Sequence, residues 1–122
     1  MDATELVRRL YERYQARDWE AAAKLLHPDA TVDMPDTRER LAGREGVIDF
    51  QRGYPEPWGN LSVLRVLGGG DEACAEVEVV APEHTFRLAA FWRADEGLLR
   101  DGVEYWVTVG GEEPPPGRAP TY

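Results

Sequence analysis

Apolar residues along the first thirty-five positions repeat with the spacing of a helix and then change to that of a strand. The first helix is predicted from Asp2 to Ala16. Asp18 is placed to cap a second helix, Trp19 to Leu26, and a short strand from Ala30 to Met34 follows it. The apolar face of the first helix consists of Leu6, Val7, Leu10, Tyr11 and Tyr14. These elements predict a helical pair leading into a sheet.

The next segment alternates between loop and helix signals. Met34 to Leu41 is charged and contains Pro35, so we expect a loop there. A third helix is predicted from Arg44 to Arg52. Pro57 and Gly59 predict an irregular stretch after it.

From Leu61 onwards the apolar period becomes two, which is typical of strands. Short turn sequences separate four such segments, and consecutive strands joined by tight turns form an antiparallel sheet. With the helices in front, the fold class is α+β. The four predicted strands are Leu61 to Leu67, Ala73 to Val80, His84 to Arg93, and Leu98 to Val109 with a bulge at Gly102.

The length and composition favour one globular domain over residues 1–109. The chain has 122 residues, of which 43% are hydrophobic. The tail, residues 110–122, is rich in glycine and proline and cannot continue the ladder of strands. We expect it to fold over the rim of its own pocket or over a partner subunit.

Charge and cysteine content narrow the classes of partner and location. The net charge of −9 argues against nucleic acid, whose phosphates require clustered Lys and Arg. No apolar run reaches the length of a membrane span, so no membrane partner is expected. Cys74 is the single cysteine and cannot form an internal disulfide, so a cytoplasmic location is the expectation.

The order of elements resembles the nuclear transport factor 2-like fold, in particular its SnoaL-like branch, which is named after a polyketide cyclase. The segments that carry this resemblance are Tyr11 to Trp19, Leu26 to Val32, Gly43 to Ile48 and Gly102 to Trp106. The resemblance implies a cone-shaped, strongly curved antiparallel sheet with three helices enclosing a mostly apolar pocket. It also implies a homodimer, which exposed apolar residues on the outer sheet face would support: Leu64 and either Val80 or Tyr105. Related proteins include isomerases, cyclases and epoxide hydrolases.

Two catalytic patterns of those relatives fit this sequence poorly. The positions of the two acids of ketosteroid isomerases correspond to Met34 and to the vicinity of Ala90, so ketosteroid isomerase chemistry is not expected. The last strand of limonene-epoxide hydrolases is matched by Glu104 and the two aromatic residues that follow it. Their Arg-x-Asp pair corresponds to Glu76 and Glu78, which the apolar alternation turns away from the pocket.

Glu104 is therefore the acid of greatest interest. It shares a strand face with Gly102 and Trp106, and a carboxylate among aromatic side chains could act as a general acid or base. If the face of Tyr105 is the inner one instead, Glu104 is solvated. His84 is a candidate proton shuttle at the pocket mouth, although a histidine beside a turn is more often simply exposed.

The other candidate residues would bind the ligand. Tyr14 could donate its hydroxyl to a ligand oxygen, with packing against the second helix as the alternative. The expected wall of the pocket consists of Met34, Trp58, Trp92 and Trp106. Two histidines and one cysteine without metal-ligand spacing predict no metal site, and we expect no cofactor.

Two functions remain open at this point. The first is a protein that binds a small apolar or cyclic molecule without a complete catalytic set. The second is a cofactor-independent acid–base enzyme of the isomerase, cyclase or epoxide hydrolase type that uses Glu104. A buried Glu104 hydrogen-bonded to another polar side chain in the pocket would favour the enzyme. A wholly apolar inward face would favour the binding protein.

Overall fold

The computed structural model describes residues 1–55 and 58–122, which form three helices and a curved sheet of six strands. The helices are α1 Ala3–Gln15, α2 Trp19–Ala23 and α3 Gly43–Arg52. The strands are β1 Leu26–Met34, β2 Glu39–Ala42, β3 Asn60–Gly69, β4 Glu72–Val80, β5 Thr85–Asp95 and β6 Leu98–Thr108. The predicted α+β class and curved sheet are confirmed, while Pro57 lies outside the described residues.

The first two helices begin where side chains cap them. The Asp2 carboxylate accepts a hydrogen bond from the backbone N–H of Glu5, and the Asp18 carboxylate accepts one from Ala21, both at 3.1 Å. The predicted apolar face of α1 is buried as expected. It packs against β3 and β4, so α1 lies along the inner side of the sheet.

The prediction that α2 continues to Leu26 was wrong. The helix ends at Ala23, and Leu26 already belongs to β1, where it pairs with Leu99 of β6. Pro28 disfavours helical geometry in the residue before it and lies where the register of β1 against β6 shifts. The chain therefore leaves the helix early to join the sheet.

The sheet has six strands, in the order β2-β1-β6-β5-β4-β3, so β2 is added to the five strands predicted from the sequence. All neighbours are antiparallel except β1 and β6, which are parallel. The prediction of a loop from Met34 to Leu41 was partly wrong, because most of β2 lies within that range. Asp33 and Arg40 form a two-point ion pair across this hairpin, at 2.6 and 2.9 Å. Of the charged residues that suggested a loop, Asp36 and Arg38 lie in the turn, and Glu39 and Arg40 lie on the edge strand β2, where charge is common.

The inner face of the sheet carries the core. Along β4, Ala73, Ala75, Val77 and Val79 are buried, and the alternate residues lie on the outer side. α3 packs against β1 at the other end of the sheet. The curvature leaves a space between α3, the ends of the central strands and the start of the tail. No helix among the described residues is long and apolar enough to cross a membrane.

Candidate functional site

A cavity of about 670 Å³ opens inside the cone. This volume lies within the range of about 300–1,000 Å³ that is usual for small-molecule sites. Its apolar wall consists of Met34, Phe50, Tyr54, Trp58, Val79, Phe86, Trp106 and Val107. Its polar groups are Asp36, Thr37, Glu39, Gln51, Glu104, Thr108 and the tail residues Gly110, Gly111 and Glu112. The first residues of the tail therefore form part of the rim.

Glu104 faces the interior and is only 2% exposed, so the face of β6 that carries it is the inner one. Its neighbour Tyr105 points outwards and is 48% exposed. Ala90 lies directly opposite Glu104 on β5, and its small side chain leaves space for the carboxyl group. The alternative in which Glu104 is solvated is excluded.

One extra residue in β6 sets this orientation. The hairpin begins with Asp95 opposite Leu98, and a regular ladder from there would put Ala90 opposite Val103 and turn Glu104 outwards. The register shifts at Arg100, which has no partner on β5, so every later residue of β6 faces the other way. The predicted bulge therefore exists, but at Arg100 and not at Gly102.

Gly102 has a different role, because a Cβ atom there would lie 2.8 Å from the indole ring of Trp92. Because Gly102 has no side chain, the indole ring of Trp92 can pack against it on the inner face of the sheet. Trp92 is 3% exposed and lies opposite Gly102 on β5. The same arrangement brings the indole N–H towards α1.

A chain of buried hydrogen bonds fixes the Glu104 carboxyl group. The Tyr11 hydroxyl donates to Glu104 Oε2 at 2.6 Å, and the same hydroxyl accepts from Trp92 Nε1 at 3.1 Å. On the other side, Trp106 Nε1 donates to Glu104 Oε1 at 3.3 Å. Each carboxylate oxygen still has one lone pair for a bound molecule.

Burial raises the pKa of Glu104 above its ordinary value of 4.5, because the charged form is removed from water. The hydrogen bonds from Tyr11 and Trp106 oppose this effect without cancelling it. Burial, followed by the nearby charge of Glu104, raises the pKa values of Tyr11 and Tyr14 well above 10. Tyr11 thus remains a hydrogen-bond donor, and Glu104 is the group in this network that gives up its proton first as pH rises.

Of the five residues expected to bind the ligand, Met34, Trp58 and Trp106 line the cavity. Trp92 does not, because its indole lies behind Tyr11 and supports it. Tyr14 is not a lining residue either: its ring packs edge-on against Tyr11 at 5.5 Å and against Trp19 at 5.9 Å. The packing alternative describes Tyr14 better than ligand binding.

His84 does not reach the cavity. It is exposed in the turn before β5, and its ring lies 6.0 Å from that of Phe86, which does line the cavity. The placement corrects the expectation of a histidine at the pocket mouth beside Glu104, because the strand begins one residue later than predicted and leaves His84 in the turn. His84 is therefore not among the residues that line the cavity with Glu104.

Sequence reasoning missed the role of Tyr11, which it assigned to packing. Tyr11 lies one helical turn before Tyr14, so both face the sheet, and only the register of β6 shows which of them meets the carboxyl group. Phe50, Gln51 and Phe86 were also missed as lining residues. Their only sequence signal is an inward position on α3 or β5.

The positions of the isomerase acids flank Glu104. Ala90 is its partner on β5, and on the other side Asp33 pairs with Val103, which brings Met34 to the neighbourhood of Glu104. Glu104 on β6 is therefore acidic, whereas the neighbouring positions that correspond to the two isomerase acids, Met34 on β1 and Ala90 on β5, are not.

The hydrolase pattern is not assembled in the cavity. Glu76 and Glu78 lie on the outer face, as expected, while Val77 between them is buried. Glu76 forms an ion pair with Arg65 at 3.2 Å, and Glu78 forms one with Arg87 at 2.8 Å. Both carboxylates are used in surface ion pairs.

Three groups outside the cavity approach each other closely enough to be considered as metal ligands: His27, Asp95 and Glu96. Arg100 Nη1 already lies 3.0 Å from Asp95 Oδ2 and 3.5 Å from His27 Nε2. This guanidinium occupies the position in which a cation would be held. The cluster fits the role of fixing the bulge of β6 better than that of a metal centre.

Comparisons with known proteins agree with the architecture. The SnoaL-like domain matches residues 7–102. A crystal structure of a candidate ketosteroid isomerase from Kribbella flavida DSM 17836 is 30% identical, with a TM-score of 0.85, over 97% of this chain and 90% of that one. Among curated protein sequences, none matches this chain with significance.

More distant structures share the fold alone. An NTF-2 like protein of unknown function from Burkholderia xenovorans LB400 is 20% identical with a TM-score of 0.79, covering 95% of this chain and 85% of its own. An LEH-like epoxide hydrolase from M. tuberculosis is 15% identical with a TM-score of 0.71, covering 86% of this chain and 82% of its own.

Proposed function

Because this chain belongs to the SnoaL-like domain family, we propose that it binds a small apolar or cyclic molecule in the cone cavity. The observation that supports this proposal is the cavity of about 670 Å³ with an aromatic and aliphatic wall around one buried carboxyl group. Apolar walls with a few placed polar groups are typical of small-molecule sites.

Binding can be measured by the fluorescence of the cavity tryptophans during titration with cyclic ketones and epoxides. Trp106→Ala removes part of the wall and is expected to weaken binding about tenfold or more, as expected for the loss of a large aromatic contact. Tyr105→Ala is the matched control, since Tyr105 follows Glu104 on the same strand but faces outwards. Equal losses in both variants, or no binding by the unaltered protein, would contradict the proposal.

A second candidate function is favoured by the network around Glu104. A buried carboxyl group hydrogen-bonded to Tyr11 and Trp106 on the cavity wall supports a cofactor-independent acid–base enzyme. The ionised Glu104 would remove a proton from carbon or oxygen of the bound molecule and hold it on a carboxyl oxygen. It would then return that proton to a second position, so no oxidant or reductant is needed.

Glu104→Gln tests this candidate because the amide keeps the shape of the side chain but cannot take up the proton. Exchange of α-protons of cyclic ketones in D₂O, followed by NMR, and the hydration of epoxides are suitable assays. We expect activity to fall about 10²–10⁴-fold with binding preserved. Glu78→Gln, on the outer face, is the control. If the Glu104→Gln variant is still active, the enzyme candidate is overturned and only the binding function remains.

The outer face of the sheet supports a homodimer. Its exposed large apolar residues include Leu64, Val80, Phe91 and Tyr105. Phe91 and Tyr105 form an edge-on pair with ring centroids 6.0 Å apart. Light scattering should give twice the chain mass for the unaltered protein and the single-chain mass for Phe91→Glu. A single-chain mass for both would overturn the dimer.

A further inference from the structure

We propose that the preferred ligand of the cavity carries a positively charged amine on an apolar body; this inference rests on the binding function proposed above. The charged groups that line the cavity are all acids: Asp36, Glu39, Glu104 and Glu112. Among the described lining residues there is no lysine, arginine or histidine. An apolar anion would find no opposite charge among these lining residues.

None of the four acids of the cavity has a basic partner among the described residues. Within the described part of the chain, arginines pair with acids such as Asp33, Glu76 and Asp101. The ion pairs of the described residues include none of the four cavity acids, although the chain has 14 basic residues. The negative charge of the cavity is therefore not neutralised internally. A cleft with charge of one sign concentrates the field and attracts the opposite ion.

The four acids are arranged in depth. Asp36, Glu39 and Glu112 are exposed at the mouth, whereas Glu104 is almost completely buried on the inner wall. The outer three can attract a cation over a distance, which is an effect of solvent-exposed charge and is screened by salt. The inner carboxylate can lie against the ammonium group as its counter-ion, and where the amine has an N–H, that group can donate to the lone pair that Tyr11 and Trp106 leave unused.

The apolar part of the wall suits the same kind of molecule. A cation over an aromatic face is stabilised by the quadrupole of the ring, most strongly where water is excluded. The aromatic residues of the wall that can serve this purpose are Phe50, Tyr54, Phe86 and Trp106, whereas the ring of Trp58 already has the Arg17 guanidinium 3.9 Å from its centroid. Aromatic rings and carboxylates together bind an alkylated ammonium group better than either does alone, whereas a neutral hydrocarbon gains only from the rings.

Phenyltrimethylammonium and its neutral carbon isostere, tert-butylbenzene, separate charge from shape. Each can be titrated into the full-length protein with tryptophan fluorescence as the readout. We expect the cation to bind about tenfold more tightly than the isostere. Addition of salt should weaken the binding of the cation and leave that of the isostere unchanged.

Two triple variants with the same change of net charge show whether the cavity acids cause the preference. The test variant combines Asp36→Asn, Glu39→Gln and Glu112→Gln. The control combines exposed acids that do not line the cavity, Glu12→Gln, Glu83→Gln and Glu113→Gln. The test variant should lose most of the preference for the cation, and the control should keep it.

The outcomes distinguish this inference from the function on which it rests. If both compounds bind equally well, the cavity is a site for neutral molecules, and only the inference about charge is overturned. If neither compound binds, and the ketones and epoxides fail as well, the binding function falls too. If both triple variants lose the preference equally, net charge is responsible and the cavity acids are not.

Discussion

Replacing Tyr11 with phenylalanine removes the hydroxyl group at the centre of the buried network. That hydroxyl donates to Glu104 Oε2 at 2.6 Å and accepts from Trp92 Nε1 at 3.1 Å. In the variant, both partners lose a hydrogen bond at once while the ring and its packing remain. The stability change therefore reports on the network and not on the apolar contacts of the helix.

The two partners are expected to respond differently. Trp92 is buried and does not line the cavity, so the loss of the hydrogen bond made by its indole N–H costs about 1–3 kcal/mol. Glu104 borders the cavity, where water can replace the lost donor and reduce its cost to about 1 kcal/mol or less. The free energy of unfolding should fall by about 2–3 kcal/mol in all.

Urea unfolding at neutral pH measures this change, and Tyr14→Phe is its matched control. Tyr14 lies on the same helix and is as deeply buried, but the described residues give its hydroxyl no hydrogen bond. We expect the control to lose about 0.5 kcal/mol or less. In a Trp92→Phe background, where the indole N–H is already gone, Tyr11→Phe should cost only about 1 kcal/mol. Equal losses for Tyr11→Phe and Tyr14→Phe would refute the reasoning.

Three further predictions concern the same elements. Because burial raises the pKa of Glu104 above 4.5, the folded protein holds this proton more tightly than the unfolded chain does. Its contribution to stability is therefore lost as pH rises from about 4.5 through the folded pKa, and Glu104→Gln should lack this loss in urea titrations across pH. Gly102→Ala places a Cβ atom 2.8 Å from the Trp92 ring and should cost about 1–3 kcal/mol in thermal unfolding. Asp18→Ala removes the cap of α2 and should cost about 0.5–2 kcal/mol.

Each of these predictions has a clear contrary result. A pH profile that is the same with and without the Glu104 carboxyl group would mean that its pKa does not change on folding. Gly46→Ala is the control for Gly102, since a Cβ atom there meets nothing within 4 Å and should stabilise α3 by about 0.5–1 kcal/mol. If Gly102→Ala is also neutral or stabilising, the contact with Trp92 is not tight. An unchanged stability in Asp18→Ala would remove its capping role.

The inner face of β4 and the capped start of α2 could be predicted from the sequence because both follow from local rules. Val77 and Val79 alternate with acids, and Asp18 precedes a helical period. The cavity wall at Met34 and Trp106 was also predicted, since both are large apolar residues on elements that the fold resemblance places inside. Local patterns are sufficient where the two faces of an element differ strongly.

The orientation of Glu104 could not be decided from its own strand. Both faces of β6 carry large apolar residues, with Trp106 on one and Tyr105 on the other. The decision depends on Arg100, the one residue of β6 that is left without a partner on β5 and that reverses the faces of all later residues. The hydrogen bond to Tyr11 joins residues 93 positions apart, and no local pattern indicates which tyrosine makes it.

The parallel pairing of β1 with β6 has a consequence for the order in which the protein folds. β6 is the last of these six strands to be synthesised, yet it lies between β1 and β5 and joins the two halves of the sheet. Bringing residues 26–34 next to residues 98–108 closes a long loop of chain, a step that slows folding. Until that closure β1 can pair only with β2, and the Glu104 carboxyl group is not yet enclosed by the sheet. A ribosome-bound chain that ends before Leu98 therefore exposes two unfinished sheet edges, which are the surfaces that chaperones protect from aggregation.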